Sequence, residues 1–515
     1  MKEFLQINPA DTVAVALQAM PGVPAGHKFA LRDIAEGEDV IKYGYPIGHA
    51  TRAIRKGELV DHHNIATNLR GTLDYSGITF TPKGQDSPDS PPALPIREGA
   101  ITNDSEGISA CQIHSAPSQK GRAGGESSFF LGFPRPDGQV GIRNDIWVIP
   151  TVGCVNGICR QIVERAKVDS PPAILYFPHN YGCSQLGDDH ENTRKILRDM
   201  VLHPNAGGVL VVGLGCENNQ PRDFEAMLGD YDRQRIRFMV CQEVEGDEVE
   251  AGVKIVKELY EQAQTFERVP VPLSELRVGL KCGGSDGFSG ITANPLLGVF
   301  TDYLCMQQGG TAILTEVPEM FGAETILMRR AVSDEVLQQT KDLINNFKNY
   351  FLSHGQPVGE NPSPGNKAGG ISTLEEKALG CTQKAGTAPV VGVLEYGERL
   401  DSPGLHLLSA PGNDLVASTA LAAAGCQLVL FTTGRGTPFS TFVPTLKVST
   451  NSELARRKPQ WIDFDAGVLL DDVPMEELLQ RFTAYIIDVA SGRIRTTAEI
   501  HGNAEFAIFK TGVTL

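Results

Sequence analysis

Four short apolar runs in this chain each lead into a glycine turn that carries a cysteine. Short apolar runs that stop at glycine and polar residues are typical of buried parallel strands, which present functional groups at their C-terminal ends. The repeated pattern therefore predicts an α/β protein whose site is built from loops at the ends of parallel strands. The runs and the cysteines that follow them are Ile146–Ile149 with Cys154, Ile174–Phe177 with Cys183, Val209–Val212 with Cys216, and Val278–Leu280 with Cys282.

The order of the predicted elements divides the chain into three folded parts. Short apolar strands and glycine turns fill residues 1–70, which predicts a small all-β module. Residues 71–128 are rich in Pro, Gly, Ser and Asp without periodicity and are predicted to form a flexible linker. Beyond them strands alternate with amphipathic helices, which predicts mostly parallel sheets covered by helices. This span is too long for one such sheet, so two Rossmann-like α/β lobes are expected, residues 129–270 and 271–515.

Local signals also predict individual elements. In the β module, Ala50–Ile54 is predicted to be a strand. Two helices follow polar residues that can cap them, namely Asp189–Val201, with Asp189 as the N-cap, and Leu415–Ala424.

Composition narrows the classes of function. The net charge of −16 argues against a nucleic-acid partner or an anionic membrane surface. No apolar run reaches membrane-spanning length and no secretion signal opens the chain, so a cytoplasmic protein is predicted. In a reducing compartment its ten cysteines would be buried residues, metal ligands or reactive thiols. Cys241, Cys305 and Cys426 lie in or beside apolar runs and are interpreted as core residues.

Several motifs that would identify a reaction class are missing from the sequence. There is no phosphate-binding P-loop, no complete dinucleotide fingerprint, no Gly-x-Ser-x-Gly elbow and no Cys-x-x-Cys pair. What remains is a set of loop residues that could ligate a metal, since thiolates prefer iron or zinc and carboxylates tolerate Mn²⁺ or Mg²⁺. The set comprises Cys154, Cys183, Cys216, Cys282, His27, His63, His179, Asp188, Asp189, His190, Glu217 and Asp286.

Polar loops in the second lobe indicate an anion site. Glycine turns before helix N-termini leave N–H groups unpaired, and an arginine between glycines offers a planar fork for a carboxylate. The candidate substrate-binding residues in these loops and strand ends are Asn218, Ser285, Asn366, Lys367, Asn413, Arg435 and Thr437.

Acidic ligands, thiols and cationic turns together favour a lyase acting on a hydroxy acid. A divalent cation or a cationic clamp stabilises the enediolate while a base removes the proton α to the carboxylate. Lys281, His190 and His27 are the candidate bases, and Asp286 is a further catalytic candidate. A structural interpretation stays open beside this one: the cysteines pack as small residues, the acidic pair before His190 caps a helix, and Lys281 and Arg435 are solvated charges.

Long strings throughout the chain resemble the altronate/galactarate dehydratase family. The resemblance covers essentially everything except the linker. The strings are AGHKFAL (25–31), TVGCVNGI (151–158), YGCSQLGDDH (181–190), HPNAGGVLVVGLGCENNQ (203–220), LKCGGSDGFSGITANP (280–295), NPSPGNKAGG (361–370) and FTTGRGTP (431–438).

The resemblance implies dehydration of D-altronate to 2-dehydro-3-deoxy-D-gluconate, a requirement for Fe²⁺ or Mn²⁺, and a β-clip module of the SAF type at the N-terminus. One departure matters: where the family's altronate enzymes resemble His-x-His-Asn, this chain has Asp61-His62-His63-Asn64. His63 keeps its place, and Asp61 stands where a histidine is expected.

The expected site is a single cavity where distant thiols and cationic turns meet. Its expected metal ligands are Cys154, Cys183, Cys216, Cys282 and His63, and its alternative cofactor is an iron–sulfur cluster held by the four cysteines. Alternative functions are dehydration of galactarate or another hydroxy acid, sulfo-lyase chemistry, or binding of a sugar acid without catalysis. The expected assembly is a homo-oligomer, most simply a dimer.

Overall fold

The structure, a computed structural model, describes residues 3–69, 71–80, 128–168 and 170–512 of the 515-residue chain. A small β module, two parallel sheets covered by helices and a short antiparallel sheet make up this part. This arrangement confirms the predicted α/β class with an all-β N-terminal region. Among the described residues, every helix is too short or too polar to cross a bilayer.

The β module consists of two small antiparallel sheets, with strand orders β1-β2-β3-β6 and β4-β5-β7. Its strands are β1 (Phe4–Leu5), β2 (Val13–Ala16), β3 (Lys28–Ala30), β4 (Asp39–Lys42), β5 (Tyr45–Ala50), β6 (Leu59–Val60) and β7 (Ile65–Ala66). The predicted strand Ala50–Ile54 is wrong. The chain ends β5 at Ala50 and turns, and Ile54 forms only an isolated bridge with Ile34.

The first lobe contains a four-stranded parallel sheet with the order β11-β10-β12-β13. A short antiparallel sheet, β14-β8-β9, pairs the strand that enters this lobe with the strand that leaves it. The strands are β8 (Phe129–Pro134), β9 (Val140–Gly141), β10 (Asp145–Pro150), β11 (Ile174–Tyr176), β12 (Ala206–Gly213), β13 (Ile236–Val240) and β14 (Val269–Pro272). The helices are α1 (Asn156–Ala166), α2 (Gly187–Val201), α3 (Pro221–Ala226) and α4 (Glu248–Ala263).

The second lobe contains a seven-stranded parallel sheet with the order β17-β18-β16-β15-β19-β20-β21. Its strands are β15 (Arg277–Cys282), β16 (Thr311–Leu314), β17 (Val390–Leu394), β18 (Gly404–Leu408), β19 (Leu428–Thr433), β20 (Thr445–Ser449) and β21 (Phe464–Asp465). Its helices are α5 (Ala293–Asp302), α6 (Glu324–Met328), α7 (Asp334–Ser353), α8 (Pro364–Ala368), α9 (Leu374–Cys381), α10 (Asp414–Ala423), α11 (Ser452–Arg457), α12 (Met475–Ala490) and α13 (Thr497–Ile500).

The three parts share apolar cores. Trp147 and Phe177 of the first lobe pack in one buried cluster with Phe442 of the second lobe. Ala378 and Leu379 of α9 complete the core of the β module. Because burial of shared apolar surface holds the parts together, loops from different parts can form one site at their junctions.

Residues 71–80, assigned from the sequence to the flexible linker, lie against the second lobe. Tyr75 is buried, its hydroxyl donates to Glu324, and Lys348 Nζ donates to that hydroxyl at 2.9 Å. Lys341 Nζ donates to the carbonyl of Ile78 at 2.7 Å. The first part of the predicted linker is therefore anchored, and most of the remainder, residues 81–127, lies outside the described residues.

Candidate functional site

Loops of the second lobe meet at the C-terminal edge of its seven-stranded sheet. The N–H group of Arg435, after β19, donates to the carbonyl of Gly284, after β15, at 3.1 Å. Asn366 Nδ2, on α8, donates to the carbonyl of Ser285 at 2.9 Å, and Lys367 follows it in sequence. Four of the predicted substrate-binding residues are thereby brought to one edge of the sheet.

The guanidinium of Arg435 lies directly on the backbone of Gly365. A Cβ atom on this glycine would fall 2.0 Å from a guanidinium nitrogen, so a larger residue there would displace the arginine side chain from its present position. Arg435 remains exposed and Lys367 is half-buried. Two cations at one loop edge suit recognition of a small carboxylate-bearing anion.

Asp286 holds the neighbouring loops in place. Its carboxylate accepts hydrogen bonds from Thr450 Oγ1 at 2.9 Å, Ser289 Oγ at 3.0 Å and Asn451 Nδ2 at 3.1 Å. Burial raises the pKa of Asp286, and the hydroxyl donors of Thr450 and Ser289 oppose that rise. With its oxygens engaged in this way, the geometry favours a positioning function for Asp286.

The β module closes on this edge through glycine turns. A Cβ atom on Gly287 would lie 1.8 Å from the carbonyl oxygen of Gly26, and one on Gly370 would lie 2.7 Å from the same oxygen. His27 follows Gly26, and its Cα lies 3.4 Å from the position of that Gly370 Cβ. His27 therefore stands at the junction between the module and the second lobe.

A buried ion-pair network fixes this junction. Lys28 and Lys42 of the module place their Nζ atoms 2.8 Å and 2.7 Å from the two carboxylate oxygens of Glu376 on α9. Burial alone would raise the pKa of Glu376, but the two ammonium groups lower it to about 2. Because one carboxylate binds two lysines of the module, the module docks in one orientation.

The turn after β6 carries Asp61, His62 and His63 side by side. One ligand atom from each of the three lies within 4.8 Å of the others, and both histidines are exposed. Burial lowers the pKa of His62, and so do the nearby charges of His63, Lys367 and Lys28. Because those charges come from both the module and the second lobe, this turn belongs to the same junction.

The donor set of this turn fits a divalent iron or manganese ion. Two imidazoles and one carboxylate are the ligand combination that mononuclear Fe²⁺ sites use while leaving positions open. The oxygen donor of Asp61 beside the two imidazoles is compatible with Mn²⁺ as well. His63, predicted as a ligand, therefore has two suitable partners next to it.

Lys281, a candidate base, is enclosed in the second lobe. Its ammonium group donates to Glu316, to Asp414 at 2.8 Å and to the carbonyl of Cys282 at 2.6 Å. Burial opposes its charge, but Asp414 and Glu316 hold its pKa well above the ordinary value. A lysine that stays charged and uses three donors cannot serve as a base, so this part of the hypothesis is not supported by the geometry.

Cys282 lies in the same enclosed cluster. Its Sγ is 3.3 Å from Cys381 Sγ, and Lys384 Nζ donates to it at 2.9 Å. The hydrogen bond from Cys381 lowers the pKa of Cys282 to about 6, with Lys384 assisting and burial opposing.

A carboxylate oxygen of Glu319 lies within 4.8 Å of the sulfurs of Cys282 and Cys381, which is close enough for the three residues to bind one ion. Lysine ammonium groups already hold these ligands, since Lys377 Nζ is 2.6 Å from Glu319 and Lys384 contacts Cys282. A metal ion there would be repelled by buried cations, so the donor set does not fit a metal in this state.

Cys154, Cys183 and Cys216 are exposed on the first lobe, after β10, β11 and β12. Asn218 lies among them, and its Oδ1 accepts a hydrogen bond from the N–H of Ser184 at 2.7 Å. The expected single shell of four cysteines is not formed. The strand before Cys282 belongs to the other sheet, and that thiol is fully enclosed by its own partners.

The residues around the start of α2 bind the C-terminal segment. The predicted N-cap is wrong, because α2 begins at Gly187 and Asp189 instead accepts hydrogen bonds from the N–H groups of Thr511 and Gly512. His190 lies half-buried on α2, and burial lowers its pKa. It belongs to a helix of the first lobe, whereas His27 belongs to the β module.

Two further predicted binding residues have local structural functions. Asn413 caps α10, which begins one residue before its predicted start, by accepting from the N–H of Val416 at 3.1 Å. Thr437 Oγ1 accepts from the N–H of Phe439 at 3.3 Å. Both still border the loop edge of the second lobe.

The sequence did not single out the buried charged residues that support the site. Lys28 and Lys42 stand in strands where apolar residues are expected, and this was the available signal for a buried ion pair. Nothing in the local sequence marks the other members, which come from scattered loops and helices. They are Glu316, Glu319, Glu376, Lys377, Cys381 and Lys384.

A β module closed on the loop edge of a parallel sheet, with two cations and a carboxylate–imidazole turn, is an arrangement suited to binding a small anion. Comparisons with known proteins identify the family to which such a site belongs. Residues 19–68 match the altronate/galactarate dehydratase SAF domain, residues 132–264 the D-galactarate dehydratase/altronate hydrolase second domain, and residues 273–514 the D-galactarate/altronate dehydratase C-terminal domain.

Full-length relatives agree with these matches. The chain is 52% identical to an altronate dehydratase of Bacillus subtilis and 50% identical to one of Escherichia coli, with 100% of each chain covered. It is 33% identical to the L-threo-forming galactarate dehydratase of Escherichia coli, over 98% of this chain and 96% of that one. The chain belongs to the altronate/galactarate dehydratase family.

Proposed function

We propose that this protein is a hydro-lyase that converts D-altronate to 2-dehydro-3-deoxy-D-gluconate and water. The full-length identity to two altronate dehydratases carries the proposal, because it exceeds the identity to the galactarate enzyme by 17 percentage points or more. The junction between the β module and the second lobe supports it, since cations, imidazoles and a carboxylate face one another there.

Asp61, His62 and His63 are proposed to hold Fe²⁺ or Mn²⁺. The ion would act as a Lewis acid on an oxygen of the bound sugar acid. The exposed guanidinium of Arg435 and the ammonium of Lys367 would bind the substrate carboxylate, which fixes the position of the α-proton.

His27 is the proposed base. Among the three candidates, Lys281 is held in its charged form, and His190 lies on α2 of the first lobe. His27 lies at the junction beside Gly370, near the cationic loops. An imidazole is the most common general base in proteins, and removal of the α-proton by His27 would start the elimination of the β-hydroxyl.

A cytoplasmic homodimer without a nucleic-acid partner is proposed as the working form. The net charge of −16 supports the lack of a nucleic-acid partner. Sedimentation velocity of the purified full chain tests the dimer.

The test is an assay for 2-keto acid with D-altronate and galactarate as separate substrates, each with Fe²⁺ or Mn²⁺. We expect turnover of D-altronate to exceed that of galactarate, to be lost after chelation and to return when the ion is restored. Asp61→Ala and His63→Ala should each lower kcat/KM by at least roughly 10- to 100-fold, because loss of even an outer-shell partner of a metal ligand has an effect of that size.

His49→Ala is the matched control, since this histidine also belongs to the β module but lies on β5, where it contacts Asn68. It should keep near-normal turnover. Lack of any keto-acid product from D-altronate with either ion would reject the proposed reaction. Full activity in Asp61→Ala and His63→Ala would reject the proposed metal ligands alone.

A further inference from the structure

Three neighbouring loops of the first lobe each expose one free thiol. The loops follow β10, β11 and β12, which are adjacent strands of one parallel sheet, so they leave the sheet at the same edge. Among the nine cysteines that the structure describes, only Cys154, Cys183 and Cys216 are exposed. The hydro-lyase mechanism proposed above uses none of them.

The three loops are tied to one another by backbone hydrogen bonds. The N–H of Gly153 donates to the carbonyl of Tyr181 at 2.9 Å, and the N–H of Asn219 donates to the carbonyl of Gly182 at 2.9 Å. Each bond involves a residue within three positions of a cysteine. The backbone that carries the thiols is therefore held as one unit, with little freedom for the loops to separate.

Glycine and left-handed backbone make this close approach possible. A Cβ atom on Gly182 would lie 2.1 Å from the carbonyl oxygen of Thr151, so only glycine fits between the first two loops. Ser184 adopts a φ of 57°, and its N–H is bound by Asn218 Oδ1 at 2.7 Å. Two left-handed backbone conformations thus flank Cys183 and fix the course of the loop that carries its thiol.

We propose that Cys154, Cys183 and Cys216 bind an iron–sulfur cluster of the [4Fe–4S] type, with one iron left open to an oxygen ligand. Thiolates are the protein ligands of such clusters. The three thiols on these hydrogen-bonded loops supply a ligand to three of the four irons. The fourth iron would have no protein thiolate and could take water, a hydroxyl or a carboxylate as its ligand.

A single metal ion fits these loops less well than a cluster. Three thiolates on one tetrahedral zinc, each at 2.3 Å, must lie about 4 Å apart. The three sulfurs do not form a group within 4.8 Å in the described part of the chain. A cluster spreads its thiolates over different irons, so it accepts sulfurs that stand further apart.

An amide donor next to the site agrees with a cluster. Gln242 Nε2 lies 3.7 Å from Cys216 Sγ, within hydrogen-bonding distance of a sulfur acceptor. Hydrogen bonds to cluster sulfurs are one of the means by which proteins set cluster potentials. The same contact would orient Cys216 before the cluster is inserted.

Cys241 provides a matched control from the same edge of the same sheet. It follows β13, but its side chain belongs to the apolar cluster that contains Cys159 beneath α1 and α4. Burial raises its pKa to about 11, which keeps this thiol protonated. Cys241→Ser should therefore leave the proposed cluster intact.

The experiment uses the full chain, purified without oxygen and reconstituted with equal amounts of ferrous and ferric iron and with inorganic sulfide, which together supply the electrons of the [4Fe–4S]²⁺ state as the three thiols lose their protons. We expect about four irons and four labile sulfides per chain, visible absorbance, and an electron paramagnetic resonance signal after reduction. Each of Cys154→Ser, Cys183→Ser and Cys216→Ser should lower labile sulfide at least tenfold. Cys241→Ser should retain it, and circular dichroism should show that all four variants fold.

Wild-type protein that binds iron without sulfide, or that binds one zinc ion through these thiols, would overturn the proposal. So would a cluster that survives in all three exposed-cysteine variants or is lost equally in Cys241→Ser. Metal and sulfide content do not depend on turnover, so this outcome is independent of the hydro-lyase assay. A chain that dehydrates D-altronate but assembles no cluster rejects only the cluster.

Discussion

Two buried histidines in the first lobe are held in their neutral form by the same arrangement of backbone groups. His203 Nε2 donates to the carbonyl of Cys426 at 3.2 Å, and its Nδ1 accepts from the N–H of Asn205 at 3.1 Å. His179 makes the equivalent two bonds, at 2.8 Å and 3.1 Å. Both ring nitrogens of His179 are thus occupied, which is why this candidate ligand is a structural residue.

These histidines predict a loss of stability in mild acid. Burial lowers the pKa of His203 to about 3, whereas the unfolded value is 6.5. Below pH 6.5 the unfolded chain binds a proton that the folded chain does not, so stability rises with pH between about 3 and 6.5. The burial of neutral His203 should therefore make the free energy of unfolding about 2 kcal/mol lower at pH 5 than at pH 7.

Chemical unfolding at both pH values measures this effect. His203→Gln should reduce the difference in unfolding free energy between pH 7 and pH 5 by about 2 kcal/mol. His354→Gln is the control, because that histidine is exposed at the end of α7 and contacts only the neighbouring turn, through Ser353 and Tyr350. An unchanged pH difference in His203→Gln would show that this ring does not contribute to acid sensitivity.

For single residues, the sequence predicted where a side chain lies in the fold better than it predicted whether that side chain is charged. It identified Lys281 as a residue at a strand end, and the structure finds it there on β15. It could not predict that Glu316, which follows the neighbouring strand β16, would keep the ammonium charged. Residues far apart in sequence determine a pKa, and a single sequence does not reveal which of them meet.

At the scale of elements, bare glycine backbone lets the β module close on the second lobe. The strongest case is Gly287, where a Cβ atom would fall 1.8 Å from the carbonyl oxygen of Gly26. Backbone cannot yield in the way that a flexible side chain can, so the loop that carries Asp286 would have to move. The distance between module and loop is therefore set by the lack of a side chain.

Gly287→Ala should weaken this docking. We expect overpacking to lower the free energy of unfolding by about 1–3 kcal/mol. We also expect turnover of D-altronate to fall by more than the fraction of folded protein does. Gly157→Ala is the control, since no atom lies within 4 Å of its Cβ position in α1 and alanine favours a helix. Equal stability and turnover in the two variants would mean that the module does not need this close approach.

Element boundaries were predictable where packing and local signals agree. The run Val209–Val212 was recognised as a strand because it is continuously apolar, and the structure extends it to β12 with all eight residues buried, as expected for a central parallel strand. The start of α2 was misplaced because Asp189 has an acidic side chain suited to capping but is used by the C-terminal segment. A capping residue and a tertiary ligand look the same in sequence.

At the scale of the whole molecule, the expected single cavity is divided among separate places. Three thiols lie on one sheet, Cys282 is enclosed in the other, and His63 stands at the junction with the β module. The pattern of strand ends predicted correctly that these cysteines would end or follow strands of parallel sheets. It could not assign each strand to a sheet, because sheet membership depends on pairing between distant segments.

The last prediction concerns the ion pairs that hold the molecule's parts together. Glu376 on α9 is the shared partner of Lys28 and Lys42, and all three side chains are at most 2% exposed. Glu376→Gln removes the charge and leaves two buried ammonium groups without a counterion. Removing one partner of a buried pair typically costs about 3–5 kcal/mol, much more than an exposed pair contributes.

Thermal and chemical unfolding of Glu376→Gln should show this loss, together with reduced turnover, because the turn with Asp61 and His63 would no longer be held against Lys367. Glu38→Gln is the control, since the Arg32–Glu38 pair lies in the same module but is 52% and 34% exposed. That variant should change stability little. If Glu376→Gln unfolds at the wild-type midpoint, burial of apolar surface with α9 alone holds the module, and the two lysines are dispensable for docking.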